Sequence, residues 1–283
     1  MTRLGTRVLV NVVLLLLAVG LVLLIWRDPW REPPPTRERL STIDPTQLRR
    51  LRIETPNRPP IELSRRNSAW RLVDPLSVPA DQYRVAAVLG LVAATVHDAF
   101  RAEGNDLRQF GLDPPKARVL MDEHEFRVGD TEPLNGWRYV QYGADVQLIT
   151  DAYSHHLLAT APAFVDPAPI GADVRPVGFS LPGIRLRLEQ GRWRVDPPAA
   201  SFSADAGERL ANAWTSARAA SVKSFNSKLD WDQTILVELD GESEPLRFRV
   251  ARLEYEWVIG RPEWKVQYHF PKQAGLKLLA PVD

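Results

Sequence analysis

The chain has 283 residues, 45% apolar and 25% charged. These are the proportions of an ordinary globular protein, and they exclude collagen-like, low-complexity and disordered classes. Cysteine is absent, which removes disulfides, thiolate nucleophiles, cysteine zinc sites and iron–sulfur clusters together. The formal charge is +1, but residues 1–31 hold four Arg and one acid, leaving 32 basic against 34 acidic residues in the rest. A body so balanced lacks the electrostatic footprint of a nucleic-acid binder, so no nucleic-acid partner is expected.

From Val8 to Ile25 the chain reads VLVNVVLLLLAVGLVLLI, 18 residues with one polar interruption at Asn11. At ~1.5 Å per residue such a helix spans about 27 Å, close to the hydrocarbon thickness of a bilayer. Trp26 and Trp30 follow, where interfacial aromatics belong. The pattern predicts a transmembrane anchor over residues 1–30. A cleaved signal peptide is the rival reading, with Arg3 and Arg7 as its basic start. The run is longer than the apolar core of such a peptide, and no small-x-small site follows Ile25. Arginines flank the run on both sides, so charge does not orient it. The short tail before it favours a translocated body: a single-pass inner-membrane protein with its body in the periplasm. Residues 31–39, REPPPTRER, cannot bury apolar surface and predict a Pro-rich stalk over 31–40.

The body reads as an internal duplication. Ile61-Glu62-Leu63, Trp70-Arg71-Leu72-Val73-Asp74-Pro75 and Pro79-Ala80-Asp81 recur as Ile184-Arg185-Leu186-Arg187-Leu188, Trp193-Arg194-Val195-Asp196-Pro197 and Ser203-Ala204-Asp205. Val119-Leu120-Met121 matches Leu236-Val237-Glu238, and Tyr139-Val140-Gln141-Tyr142 matches Lys265-Val266-Gln267-Tyr268. His156-Leu157-Leu158 matches Lys277-Leu278-Leu279. The expected fold class is α+β: two tandem repeats, 41–168 and 172–283, each a mostly antiparallel sheet packed with one long helix.

Ile184, Leu186 and Leu188 alternate with charged residues, as do Leu246, Phe248 and Val250, which is the period of half-buried strands. Asn135-Gly136 and Asp240-Gly241 are hairpin turn dipeptides. The first helix is expected to start at Asp81 and to bury Val85, Val88, Leu89, Val92, Ala93, Val96 and Phe100 before a stop at Gly104. The second opens on Asp205 and Glu208, a capping-box-like pair, and buries Leu210, Trp214 and Ala217.

Trp70, Pro79-Ala80-Asp81, the helical pattern and Phe110-Gly111-Leu112-Asp113-Pro114 together resemble a bacterial domain-of-unknown-function family. Its members are single-span envelope proteins, often encoded beside the gliding-motility-type ABC transporter and its auxiliary subunit. The resemblance covers residues 45–160 well and the second copy more weakly, because Phe225-Asn226-Ser227-Lys228-Leu229-Asp230 stands where the Gly-Leu-Asp-Pro element should be. It implies an envelope accessory role, with an integral membrane or ABC transporter protein as partner.

A search for chemistry finds no converging constellation, so no catalytic, cofactor-binding or metal-binding residues are expected. His155 and His156 are adjacent and should diverge. Asp122-Glu123-His124-Glu125 falls where a polar hairpin tip is expected. His97 is placed on the first helix, and His269 has no partner pattern. Gly178-Phe179-Ser180-Leu181-Pro182-Gly183 lacks the second glycine of a nucleophile elbow.

Arginine is the one oddity, with 30 Arg against 6 Lys. Arg185, Arg187, Arg194, Arg247 and Arg249 alternate on expected strands and form a candidate interaction surface for carboxylate or phosphate, unless nearby Glu189, Glu238, Glu242 and Glu244 neutralise it. The sequence thus predicts a membrane-anchored scaffold subunit, accessory to an ABC-type transport system and not an enzyme. An envelope glycan- or lipid-binding module is the alternative.

Overall fold

Alternation of apolar and polar residues builds most of the chain as strands. The computed structural model describes Val13, Leu15, Leu16 and residues 38–171, 174–198 and 205–279. Residues 39–283 form one unit and Met1–Glu38 another.

In the first half run β1 (Arg50–Glu54), β2 (Ile61–Arg66), β3 (Ala69–Asp74), β4 (Val78–Pro79) and helix α1 (Gln82–Leu89). There follow β5 (Val96–Arg101), β6 (Ala117–Met121), β7 (His124–Thr131), β8 (Arg138–Tyr142), β9 (Asp145–Ile149) and the single turn α2 (Ser154–Leu157). The second half contains β10 (Pro176–Leu181), β11 (Ile184–Glu189), β12 (Arg192–Asp196), α3 (Ala206–Ser216) and β13 (Ser221–Ser224). It closes with β14 (Gln233–Leu239), β15 (Leu246–Arg252), β16 (Glu256–Arg261), β17 (Val266–Pro271) and α4 (Lys272–Leu279).

Among the described residues the strand orders are β4-β3-β2-β1-β6-β7-β8-β9-β5 and β12-β11-β10-β14-β15-β16-β17-β13. Apart from β4, the two sheets have the same connectivity. In each, a strand after the helix crosses to the far edge and pairs antiparallel with the last strand of the meander. Trp70 and Trp193 are both the second residue of the third strand. Two of the matched landmarks need correction. Tyr139–Tyr142 lies on β8, whereas Val266–Tyr268 lies on β17, just after Lys265, and the counterpart of β17 is β9. Register also pairs Leu51 with Met121 and Phe179 with Val237, so Met121 corresponds to Val237, and the sequence match was one residue out. That slip matters, because one residue exchanges the faces of a strand.

The helical expectations are overturned. The first helix ends at Leu89 and tightens into a 3-10 turn, Gly90–Ala93. Val96, His97 and Phe100 then lie on β5. Thr95 and Val96 are β-branched and disfavour helix, and β9 offers an unpaired ladder that β5 satisfies. Asp81 is the N-cap, accepting the Tyr83 and Arg84 N–H groups. The longest helix with a described range, α3, has 11 residues. It buries Leu210 and Trp214 against the second sheet. Its capping box does not form: Asp205 makes no side-chain cap bond, and Glu208 accepts from Trp193 Nε1. Short helices thus replace the long helix expected in each half.

Apart from Val13, Leu15 and Leu16, the anchor over 1–30 lies outside the described residues, as does most of the stalk over 31–40. Among those that are described, no helix is long and apolar enough to cross a membrane; a crossing takes about 20 residues. The transmembrane, single-pass inner-membrane and periplasmic assignments are corrected on that finding.

One continuous apolar cluster runs through both halves, including Leu51, Trp70, Leu72, Phe126 and Phe164 of the first and Phe179, Trp214, Phe248 and Phe270 of the second. The connector between the sheets joins them. Phe164 C=O accepts from Asp81 N–H, Asp166 N–H donates to Pro79 C=O, and Pro167 C=O accepts from Ala219 N–H.

The exposed edge strand β5 carries its own protection. Ala102 N–H bonds Ala144 C=O, so the antiparallel ladder turns the backbone groups of Ala99 and Arg101 outward. Asp98 Oδ1 takes the Ala99 N–H at 2.8 Å, and Asn105 Nδ2 donates to the Arg101 carbonyl at 2.9 Å. Both guards occupy groups that another chain would otherwise pair. Replacing them together (Asp98→Val with Asn105→Ala) is expected to raise concentration-dependent association in sedimentation velocity. An unchanged profile would show that they do not protect this edge. A packing test is independent. A methyl group at Gly207 would fall on the Trp193 ring, so Gly207→Ala should cost roughly 1–3 kcal/mol in urea unfolding.

Candidate functional site

The arginine surface forms where alternation places it. Arg185 and Arg187 on β11, Arg194 on β12, and Arg247 and Arg249 on β15 share the face of the second sheet opposite Leu186, Phe179, Val237 and Phe248. Cross-strand register sets two rows. One runs Asp196, Arg185, Ser180, Leu236, Arg247, and the next runs Arg194, Arg187, Gly178, Glu238. Arg187 and Arg194 are thus direct neighbours. Arg185 and Arg247 stand three strand spacings apart, roughly 14 Å at about 4.8 Å each.

Part of this charge is neutralised internally. Arg187 reaches across Gly178, which has no side chain, to bond both oxygens of Glu238 at 3.0 and 3.2 Å. Arg194 pairs with Glu189 at 2.8 Å. Arg249 lies over the Trp231 ring at 5.6 Å, and Trp231 stacks in turn on Phe225. Both rings close over Gly260 of β16, so the Phe225–Asp230 segment covers this end of the face. Arg185 and Arg247 make no ion pair among the described residues. Of the expected neutralising acids, Glu189 and Glu238 pair with these arginines; Glu242 and Glu244 do not.

The outer face of the first sheet contrasts with it. There the charges form a continuous chain: Glu62 with Arg52, Arg52 with Glu54, Glu54 with Arg118, Arg118 with Glu125, and Glu125 with Arg127. Arg50 and Arg71, which flank Ser64 on the same face, make no ion pair among the described residues, so the first sheet pairs most but not all of its outward arginines.

The histidines occupy different environments from those expected. His97 is on β5, bonded to Thr150 Oγ1 at 2.8 Å and stacked on Trp137. The rings of His155 and His156 do not diverge but lie 3.7 Å apart. His156 Nδ1 is 3.2 Å from an Arg84 guanidinium nitrogen; since the guanidinium can only donate, Nδ1 accepts. His269 sits in a buried relay that the sequence did not signal. Gln267 Oε1 accepts from Asn226 N–H, so its amide nitrogen donates to His269 Nε2, and His269 Nδ1 donates to Glu256 at 2.9 Å. The relay ties β16 and β17 to the segment beside Phe225, and His269 is only 4% exposed. Asp122-Glu123 forms the β6–β7 turn. Gly178 to Gly183 is a strand entering a hairpin, not a strand-to-helix elbow. Among the described residues no group of three or more His, Asp or Glu could hold a metal ion.

Burial, followed by the charges of His155 and Arg84, holds the His156 pKa below the ordinary histidine value, with Asp81 opposing. The unfolded chain therefore binds a proton at higher pH than the folded one. The neutral imidazole's stabilising contribution is complete above about pH 6.5 and is lost as pH falls through and below that value. His156→Gln should flatten the acid side of the stability–pH curve, measured by urea unfolding between pH 7.5 and 5. An unaltered slope would place the acid sensitivity elsewhere.

No curated protein matches this chain, and no solved structure matches it. A family model does match, over residues 70–238, from β3 of the first sheet to β14 of the second. It thus spans the connector and parts of both halves, and the chain belongs to the family described as a domain of unknown function, DUF4340.

Proposed function

We propose that the protein is an interaction subunit that binds an acidic protein surface through the outer face of its second sheet. One observation carries this reading. Arg185 and Arg247 project from one cross-strand row without an ion pair among the described residues, on a sheet face that also carries Arg187, Arg194 and Arg249, whereas on the corresponding face of the first sheet Arg52, Arg118 and Arg127 are paired and Arg50 and Arg71 are not. Arginine presents a planar fork suited to bidentate capture of carboxylates. Strands hold such side chains at fixed spacing, which limits the entropy lost on binding. The role is one of binding rather than chemistry. A component of a transport complex, the context implied by the sequence resemblance, is a partner of this kind.

The test is charge reversal on each face. Arg185→Glu with Arg247→Glu should weaken binding of a polyglutamate probe at least tenfold, about 1.4 kcal/mol or more, and reduce its salt dependence. Arg52→Glu with Arg118→Glu should leave binding within twofold while lowering stability, because Glu54 and Glu62 lose their partners and Glu125 keeps only Arg127. Equal losses from both pairs, or tighter binding of duplex DNA than of polyglutamate, would overturn the proposal.

A further inference from the structure

The row Arg185, Ser180, Leu236, Arg247 crosses four neighbouring strands of the second sheet in register. Its two ends are arginines without an ion pair among the described residues. Its middle is low: Ser180 is short, and Leu236 leaves an apolar side chain half-buried on the outer face. The flanking rows lie two residues along each strand, about 7 Å to either side. On one side the Arg187 guanidinium spans Gly178 to reach Glu238. On the other, Arg249, directly across from Thr234, lies over the Trp231 ring. Both flanking arginines are therefore occupied, and the two unoccupied ones stand at the ends of the row between them. Asp196 lies beyond Arg185 at the sheet edge, exposed and without an ion pair among the described residues.

An occupant of this row has to meet two cations roughly 14 Å apart, with an apolar step between them. An extended polypeptide advances about 3.4 Å per residue and turns alternate side chains to one face. Carboxylates at i and i+4 then lie roughly 14 Å apart on the face turned to the sheet, and the side chain at i+2 falls over Ser180 and Leu236. Acids at i and i+2 are only about 7 Å apart, and those at i and i+3 point to opposite faces. A helix covers the same length in about nine residues, by which point the side chain has turned to its far side.

Resting on the reading that this face captures acidic protein, we infer that the partner docks as an extended segment lying across the strands, with acidic residues four apart and an apolar residue midway. Arg185 and Arg247 each take one carboxylate in a charge-assisted pair. The midway side chain covers Leu236, and the Arg187–Glu238 pair and Trp231 border the segment. Asp196 opposes the carboxylate that arrives at Arg185.

The test compares three end-blocked, dye-labelled pentapeptides of one composition by fluorescence anisotropy on the full-length chain: Glu-Ala-Val-Ala-Glu, Glu-Ala-Val-Glu-Ala and Glu-Val-Glu-Ala-Ala. The first, with its acids four apart, should bind about fivefold tighter than either isomer, and Ser in place of its Val should weaken it. Arg185→Glu or Arg247→Glu alone should erase that preference, and Asp196→Asn should tighten binding. Arg50→Glu with Arg71→Glu, on the first sheet, should leave the preference intact. Equal affinity of the three isomers, while polyglutamate is still captured through Arg185 and Arg247, would overturn this inference and leave the broader reading standing. Failure of polyglutamate to bind would overturn both.

Discussion

The connector at 161–171 is the constraint on which the rest of the structure depends. It holds the chain just after the short edge strand β4 through the Ala80–Val165 bridge, fixes the start of α1 through Phe164 C=O, and holds Ala219, just before β13, through Pro167 C=O. Its far end is held by Arg261, 9% exposed, which donates to Pro169 C=O at 3.0 Å and lies over the Trp264 ring. Burial pulls the Arg261 ionisation down and pushes the neighbouring Tyr268 hydroxyl up. Removing Arg261 would leave that carbonyl without its donor in a water-poor setting, where an unmade hydrogen bond costs about 1–3 kcal/mol. With both helical faces packed into one apolar cluster, the broad surfaces left to solvent are the outer faces of the two sheets.

Those outer faces have diverged under a shared architecture. Gly178 is the pivot on the second sheet, because any side chain there would meet the Glu238 carboxylate. Without one, Arg187 can cross a full strand to its partner. On the first sheet, Arg50 stands at the corresponding position, and the carboxylate at 122 turns to backbone donors instead. A few substitutions at register-equivalent positions thus separate a face where most charges pair in a chain from one dominated by arginine. The buried sides changed less: Leu63 and Leu186, Leu51 and Phe179, and Met121 and Val237 all remain apolar.

Period-2 alternation and turn dipeptides were legible because each reports a local backbone property. They placed β11 and β15, put Asn135-Gly136 and Asp240-Gly241 between paired strands, and brought the five arginines onto one face. The helical reading failed after Leu89 because the apolar spacing at Val92, Val96 and Phe100 fits a helix, whereas the β9 edge decides the outcome. That edge is about 45 residues away in sequence, and no local pattern reports it. The His269 relay was invisible for the same reason: Glu256 and Gln267 become its partners only through strand pairing. Trp70 and Trp193 could be matched since each is the second residue of the third strand, but matching strands past the crossover required the register.

The central claim is that the connector joins two copies of one sheet into a single cooperative unit. Hydrogen exchange of the full-length chain by mass spectrometry, at rising sub-denaturing urea, tests it most directly. Peptides from β1 and β6 and from β14 to β17 should converge on one opening free energy and one urea dependence, the signature of a shared global unfolding. Exchange of the β14–β17 peptides through a separate opening of lower energy and smaller urea dependence, while β1 and β6 stay protected, would contradict it.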